Sequence, residues 1–527
     1  MGSQRILVAD EIGPAGLAVL EAAQDVAVDV QTGLTRDELL EIIGQYEAVI
    51  VRSATTLDGD LIEAGKQLIV IGRAGVGVDN IDLPAATRQG VIVMNTPQAN
   101  AIATAEQTLA LMLATARHTA RAHSAVAAGE WARGRYAGIE LAAKTLGIIG
   151  FGRIGREVAR RARAFQMDVI AYDPYVTEQA AREQSVTLVE LDDLLSRADF
   201  VTLHSALSAQ TEKIIDRSAL DQMKPSAILI NAARGGLIDE AAVADALQGG
   251  RLRAAGVDVY GSEPPAADHP LIGLPNVVHT PHLGASTEEA QRDVAQQVAE
   301  QVLAALRGEG VANSVNFPFR MDNETAPWLN LATAMGKLHF AMAPERIQRV
   351  EIEARGEAVL EHIRAVATGV LAGLLSGFIQ ESVNLVNAPS LAAEHGIAVS
   401  QTEGIGALDY PNMISARVFW DDGERTISGV VFEGREGRVV QVSRYHLDAK
   451  PQGIVLLMLN NDIPGVIGEV GTLLGRHEVN IAEWRLGRDE AGGHALSFIN
   501  LDTWPGDEVL AELRALPAVE KAMVVEL

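Results

Sequence analysis

A chain of 527 residues, 48% of them hydrophobic, is too long for one core and implies about three to four units. Its 69 acidic residues outweigh 43 basic ones, and the formal charge of −26 argues against nucleic acid or an anionic membrane surface as a partner; an anionic substrate then needs locally placed arginines. The absence of cysteine excludes disulfides, thiolate metal sites and a Cys nucleophile, no metal is expected, and without a charged leader or a bilayer-length apolar run the expectation is a soluble cytoplasmic protein.

From the N-terminus, β-branched runs at residues 5–9, 26–30, 48–51 and 67–71 alternate with helical patterns at 15–23 and 35–43, a βαβ series that implies a parallel sheet. Two of these runs lead into Arg52-Ser53 and into Gly72-Arg73-Ala74-Gly75. Residues 101–128 follow as one long alanine-rich helix.

Gly150-Phe151-Gly152-Arg153-Ile154-Gly155 then follows an apolar run at 145–149 and opens a helical pattern at 156–165. Another apolar run, 169–172, ends in Asp173. Strand, glycine turn, helix, strand and carboxylate form a dinucleotide pocket: Gly150 permits the tight turn, Gly152 lets backbone approach pyrophosphate, and Gly155 lets helix pack on strand. Phosphate rests on the helix N-terminus. A carboxylate at Asp173 accepts ribose hydroxyls and repels a 2′-phosphate, so the cofactor is predicted to be NAD rather than NADP.

Further strands are predicted at 200–203, 227–230, 254–257 and 277–279, and a second long helix at 286–307. Two doubly wound units joined by two long helices leave a cleft, a usual place for a small ligand. Arg234, Glu263 and His282 each follow a predicted strand, on the sheet edge where ligands bind in such folds. A guanidinium grips a carboxylate with two hydrogen bonds, and a His beside a Glu takes a proton near neutral pH, so the three suit alcohol oxidation by NAD. Arg52 and Arg73 on the other wall suit a doubly charged anion such as a phosphorylated acid.

Composition shifts after Pro318. Residues 319–452 mix helical patterns, as at 361–379, with β-rich runs at 426–432 and 438–443, and carry no chemical motif. From Gly453 the order strand, helix, strand, strand, helix, strand fits a small ferredoxin-like sandwich that serves as a dimerisation module, an effector sensor or both.

The segments 72–80 (GRAGVGVDN), 150–156 (GFGRIGR), 233–236 (ARGG) and 281–287 (PHLGAST) together resemble the D-isomer-specific 2-hydroxyacid dehydrogenase family, and within it the long branch acting on 3-phosphoglycerate. The resemblance spans the whole chain. It implies an α/β fold of a flavodoxin-like substrate domain (1–98 and 285–317) and a Rossmann NAD domain (99–284), then an α+β intervening domain (318–452) and a ferredoxin-like ACT domain (453–527). It makes Arg234, Glu263 and His282 the catalytic trio. It assigns Arg52, Ser53, Arg73, Gly75 and Asn100 to the substrate's phosphate and carboxylate. Cofactor contacts fall to Arg153, Ile154, Asp173, Ser205, Ala232, Asp258 and Gly284 beside the three turn glycines, with Asp258 near the nicotinamide carboxamide. Asn460, Asp462 and Asn480 match positions that bind a serine effector between paired modules, and the resemblance implies a homotetramer. The alternatives are another D-2-hydroxyacid dehydrogenase, of the glycerate or glyoxylate class, and a non-catalytic NAD-sensing corepressor.

Overall fold

Short apolar runs separated by helices build a parallel sheet from Gln4–Val8, Val26–Val30, Ala48–Val51, Val70–Arg73 and Ile92–Met94, in the spatial order 2-1-3-4-5 of a flavodoxin-like unit. The computed structural model describes residues 3–342, 346–379, 382–404 and 410–527. Both faces of this sheet are covered, which is why its strands read as continuous apolar runs. Ile6, Val8, Ile50 and Val70 pack on one side, and Leu7, Val49, Val51 and Ile71 on the other. The first of these faces is closed by Val294, Val298 and Val302 of the distant helix Glu288–Leu306, so the chain returns to its first sheet late.

Seven parallel strands form the second sheet: Thr145–Ile149, Asp168–Tyr172, Thr187–Leu188, Phe200–Leu203, Ile228–Asn231, Ala254–Val257 and Val277–His279. Numbered within this sheet, their order is 7-6-5-4-1-2-3, the Rossmann arrangement with one strand added. The two α/β units thus carry the expected fold class.

The alanine-rich helix differs from its sequence reading. It stops at Ala116 and a second helix, Thr119–Ala127, follows, with His118 in the left-handed region at φ 55°. The cause is tertiary. Ile139 N donates to the Ala116 carbonyl (3.0 Å), and the returning chain presents Gly138, where an added Cβ would sit 2.3 Å from that same oxygen.

After Pro318 a six-stranded mixed sheet, in the order Ala398–Glu403, Ile347–Arg355, Met413–Trp420, Gly423–Phe432, Glu436–Val442 and Tyr445–Ala449, is backed by the helices Thr325–Met342 and Ile363–Leu375. The helix predicted at 361–379 is shorter than its pattern, because Ser376 ends it. Asn384 Nδ2 donates to Gly90 O (2.8 Å) and Asn387 Nδ2 to Arg88 O (3.3 Å), so this unit satisfies carbonyls at the C-terminus of the helix Leu83–Gln89.

The chain ends in the βαββαβ order read from its pattern, a four-stranded antiparallel sheet of Ile454–Asn461, Ile481–Arg488, His494–Leu501 and Val519–Glu526. Its alternation has two destinations: Val455, Leu457 and Phe498 join the core of the preceding unit, whereas Leu456, Met458 and Ile499 pack under the sheet's own helices. Among the described residues no helix is long and apolar enough to cross a membrane.

Candidate active site

The candidate site lies where strand ends of the two parallel sheets face each other. Asp258, fully buried just past Ala254–Val257, organises one wall. Three successive amides converge on it: His282 N donates to its carbonyl (2.8 Å), Leu283 N to Oδ1 (2.8 Å) and Gly284 N to Oδ2 (2.8 Å). Thr280 Oγ1 also donates to Oδ1, and Gln107, on the helix Ala101–Ala116 that Asn100 begins, reaches both Asp258 and Thr280. These bonds hold His282 at φ 54°, in a region that side chains other than glycine seldom occupy and that is tolerated where surroundings impose it.

His282 Nδ1 lies 2.7 Å from Glu263 Oε2, while Glu263 Oε1 accepts from Tyr260 N (3.0 Å). A carboxylate only accepts, so Nδ1 carries the proton, and in the neutral ring Nε2 keeps its lone pair. Both side chains remain partly open to solvent, at 45% and 38%. The pair is therefore a base already in the right tautomer, accessible to a small substrate.

Arg234 follows Ile228–Asn231, and its turn is set by buried Asn231, which donates from Nδ2 to Arg234 O (2.9 Å) and accepts from Ala233 N (3.1 Å). The guanidinium crosses to the first unit. Its Nε donates to Asp79 Oδ2 (2.8 Å) and its Nη1 to Ala233 O (2.7 Å). Gly77 makes that crossing possible, since an added Cβ there would stand 1.6 Å from Arg234 Nη2.

Arg73 and Arg52 sit on the opposite wall. Burial, followed by the charges of Arg234 and Arg52, pulls the Arg73 guanidinium down to about 10, and Asp79 and Asp10 offset part of that effect. Three guanidinium groups within electrostatic reach make this a place for an anion with more than one charge. Arg73 Nη1 donates to Ala74 O, and its Nε is buried without a partner, as is Asn100 Oδ1. Gly75, at φ 146°, leaves room for the Arg73 guanidinium. Arg52 is anchored through its backbone: its N–H donates to Asp10 Oδ2 (2.6 Å) and its carbonyl accepts from Asn80 Nδ2 (2.7 Å), and exposed Ser53 follows it.

The glycine turn fits a dinucleotide. At Gly150 a Cβ would meet Ser205 N at 2.5 Å, and at Gly155 it would meet Gly150 O at 2.3 Å, but at Gly152, the N-cap of Arg153–Ala164, it would meet nothing. Open space therefore fronts free N–H groups at the start of a helix whose first residues are Arg153 and Ile154. Nearby Ser205 Oγ and His204 Nδ1 are buried without partners; burial pushes His204 down to about 3, which keeps the ring neutral. Asp173 Oδ2 accepts from Phe151 N (2.8 Å) and Oδ1 from Tyr175 N (2.9 Å), tying the second strand to the turn. Ala232 is buried just beyond the strand carrying Asn231.

The structure thus brings Glu263, His282 and Asp258 into one hydrogen-bonded group, and Arg52, Arg73 and Arg234 into one electrostatic group. It does not bring Asn480 to Asn460 and Asp462 within a chain. Asn480 precedes Ile481, which pairs with Leu501 beside Ile454, whereas Asn460 lies at the far end of that strand, roughly 20 Å away at the rise of extended chain. Asn460 is buried and bonded to Ser497 and Asn461 O, Asp462 accepts from Gly492 N, and Asn480 donates to Asp502. Asp79, Asn80, Asp10, Asn231, Tyr260 and Gln107 hold the site together but were not singled out by the sequence reading. Their signal was present for Asp79 and Asn80, which close the GRAGVGVDN run. A separate cavity of about 730 Å³ lies over the face of the six-stranded sheet, where Glu351, Glu353 and Glu424 balance Arg355, Arg417 and Arg444.

Residues 109–284 match the D-isomer specific 2-hydroxyacid dehydrogenase NAD binding domain, and residues 324–443 the D-3-phosphoglycerate dehydrogenase intervening domain. The chain is 40% identical to the D-3-phosphoglycerate dehydrogenase of Archaeoglobus fulgidus, over 99% of this chain and 100% of that one, and 41% identical, over the same shares, to that of Methanocaldococcus jannaschii. Among solved structures, D-lactate dehydrogenase from Aquifex aeolicus, complexed with NAD and lactic acid, is similar at a TM-score of 0.54 and 26% identity, covering 59% of this chain and 99% of that one.

Proposed function

The chain belongs to the D-3-phosphoglycerate dehydrogenase family, and on that premise we propose that it oxidises 3-phospho-D-glycerate to 3-phosphohydroxypyruvate with NAD, the first step of L-serine biosynthesis. The observation that carries this reading is the His282–Glu263 pair with Nε2 free, set in a cleft with three arginines. The turn Gly150 to Gly155 would hold NAD, which would supply the acceptor for the C2 hydride. His282 Nε2 accepts the proton of the C2 hydroxyl, and Glu263 stabilises the imidazolium that forms. Arg234 grips the carboxylate and polarises the developing carbonyl. Arg52, Ser53, Arg73, Gly75 and Asn100 hold the phosphate and share the carboxylate, and the unpartnered Arg73 Nε, a donor, supports that role.

For the cofactor, the roles fall to Gly150, Gly152, Arg153, Ile154, Gly155, Asp173, Ser205, Ala232, Asp258 and Gly284. The unit boundaries we assign are 1–98 with 285–317, 99–284, 318–452 and 453–527, and the protein works as a cytoplasmic homotetramer. Serine inhibits it through Asn460, Asp462 and Asn480. Because Asn480 lies at the other end of its sheet, such a site needs Asn480 from a second copy, and the exposed Ile463 and Ile467 offer an apolar surface for that pairing.

Two assays test the reading. NAD reduction with 3-phosphoglycerate and NADH oxidation with 3-phosphohydroxypyruvate are compared with lactate, glycerate and glyoxylate as substrates. Higher kcat/KM for an unphosphorylated acid reassigns the substrate, and no turnover with any of them leaves a non-catalytic NAD sensor.

A further inference from the structure

Arg234 does not reach the cleft as a free side chain. It is held at its Nε edge by a carboxylate from the other unit, Asp79, 155 residues away in sequence. We propose that Asp79 is a positioning residue for the reaction, a strut that fixes the plane of the Arg234 guanidinium and couples it to the opposing wall; this rests on the function proposed above.

The argument is geometric first. A guanidinium offers two faces for bidentate bonding, one through Nε and one Nη, the other through both Nη atoms. Asp79 occupies Nε, and Ala233 O takes one Nη1 proton. The donors that remain free are those on Nη2 and the second on Nη1, so the end of the fork is left for a carboxylate. Gly77 lets the fork lie against the backbone two residues before the acid that holds it, and Asn80, the next residue, donates to the carbonyls of Arg52 (2.7 Å) and Thr55 (2.6 Å). Asp79 and Asn80 therefore set the positions of two of the three arginines from one turn.

Charge points the same way. Arg234 and Arg52 both disfavour the positive charge of Arg73, and Asp79 and Asp10 oppose them. Asp10 is buried and bonded to the Arg52 loop, while Asp79 is half-exposed and faces Arg234. Without Asp79, repulsion among the arginines drives Arg234 toward solvent before any substrate arrives. A surface ion pair contributes little to stability, so the effect of this one is read in substrate binding.

The test uses the full chain carrying Asp79→Ala or Asp79→Asn, with steady-state kinetics in both substrates and hydrogen exchange of the segment 231–237. In Asp79→Ala the KM for 3-phosphoglycerate rises about tenfold or more and kcat falls with it, because Arg234 also polarises the developing carbonyl, while the KM for NAD stays within about twofold. Asp79→Asn recovers part of the loss, since its amide oxygen still accepts from Nε. An unchanged KM for the acid, or an equal rise in both KM values, overturns the proposal. Should Asp79→Ala fail to fold, Asp79→Asn is judged by the same criteria, with a smaller rise in KM for the acid. A wild-type protein without turnover refutes the functional reading alone. The strut is then judged by exchange at 231–237, which must quicken about tenfold in the variants; unchanged exchange refutes it.

Discussion

Asp258 carries His282: the His282 N–H donates to the Asp258 carbonyl at 2.8 Å, and the Asp258 carboxylate accepts the next two amides of the same loop. The left-handed backbone of His282 is thus imposed by one buried residue, through its carbonyl and its carboxylate together. Asp258→Asn keeps the volume but sets an NH₂ group against donors. It is expected to lose about 1–3 kcal/mol of stability, the cost of an unsatisfied buried donor, and to lower kcat through misplacement of His282. Urea denaturation and single-turnover hydride transfer check it. Wild-type values in both would show that the loop stands without this cap.

Glu263 is held from both sides, by Tyr260 N and by His282 Nδ1, so its loss frees the imidazole to rotate and to change tautomer. Glu263→Ala and His282→Gln are each expected to lower kcat by about 10²–10⁴, the range for general acid–base groups. NADH affinity, read by fluorescence, should stay near wild type in both. Retention of full kcat in His282→Gln would remove the imidazole from the chemistry.

The local parts of the site were legible in the sequence. Gly150 to Gly155 with Asp173 form a unit of two strands and a helix in which the spacing of the residues carries most of the geometry, the packing of Gly150 against Ser205 being the long-range exception. Arg234, Glu263 and His282 were legible as residues just past strands, because a parallel sheet delivers all such positions to one edge. What was not legible depends on partners distant in sequence. Asp79 reads as a turn acid until Arg234 is placed beside it, and Asp258 reads as a cofactor contact until residues 282–284 fold over it. The break at His118 is likewise dictated by Ile139 and Gly138, not by anything in the alanine-rich run. The helix Thr325–Met342 was missed for a different reason: it is buried around much of its circumference, so no one-sided period marks it.

Gly77 has a consequence that composition alone would not suggest. A methyl group there overlaps the Arg234 guanidinium, with only 1.6 Å between Cβ and Nη2, and the long side chain rather than the backbone must yield. Gly77→Ala is expected to raise the KM for 3-phosphoglycerate about tenfold or more with little change in melting temperature. Steady-state kinetics and calorimetry separate the two effects. An unaltered KM would mean that Arg234 binds substrate in another pose.

Asp173 holds the glycine turn with one oxygen and the Tyr175 amide with the other. Its replacement by alanine removes the acceptor we propose for the ribose and the charge proposed to repel a 2′-phosphate. In Asp173→Ala, kcat/KM with NAD should fall about ten- to hundredfold, matching about 1.5–3 kcal/mol for a hydrogen bond to a charged group. The ratio of NADP to NAD use should rise. Equal losses with both cofactors would assign Asp173 to the turn alone.

His339 offers a pH test remote from the cleft. Burial pushes it down to about 3, the charge of Arg425 adds to that shift, and its Nε2 meets the Ala416 carbonyl at 3.1 Å. Arg425, on the strand Gly423–Phe432, also donates to the carbonyls of His339 and Met342 at the end of the helix Thr325–Met342. Because the folded value lies below the ordinary 6.5, the unfolded chain binds a proton that the folded chain does not. The associated stability is complete above that value and is lost as pH falls from it toward 3. At pH 5 the loss amounts to about 2 kcal/mol. His339→Leu removes the titration at the cost of one hydrogen bond, so it should be the less stable protein at pH 7.5 and should close or reverse the gap at pH 5. Urea denaturation at the two pH values, followed by tryptophan fluorescence, reads the difference, and a gap that stays constant would mean that His339 is protonated equally in both states.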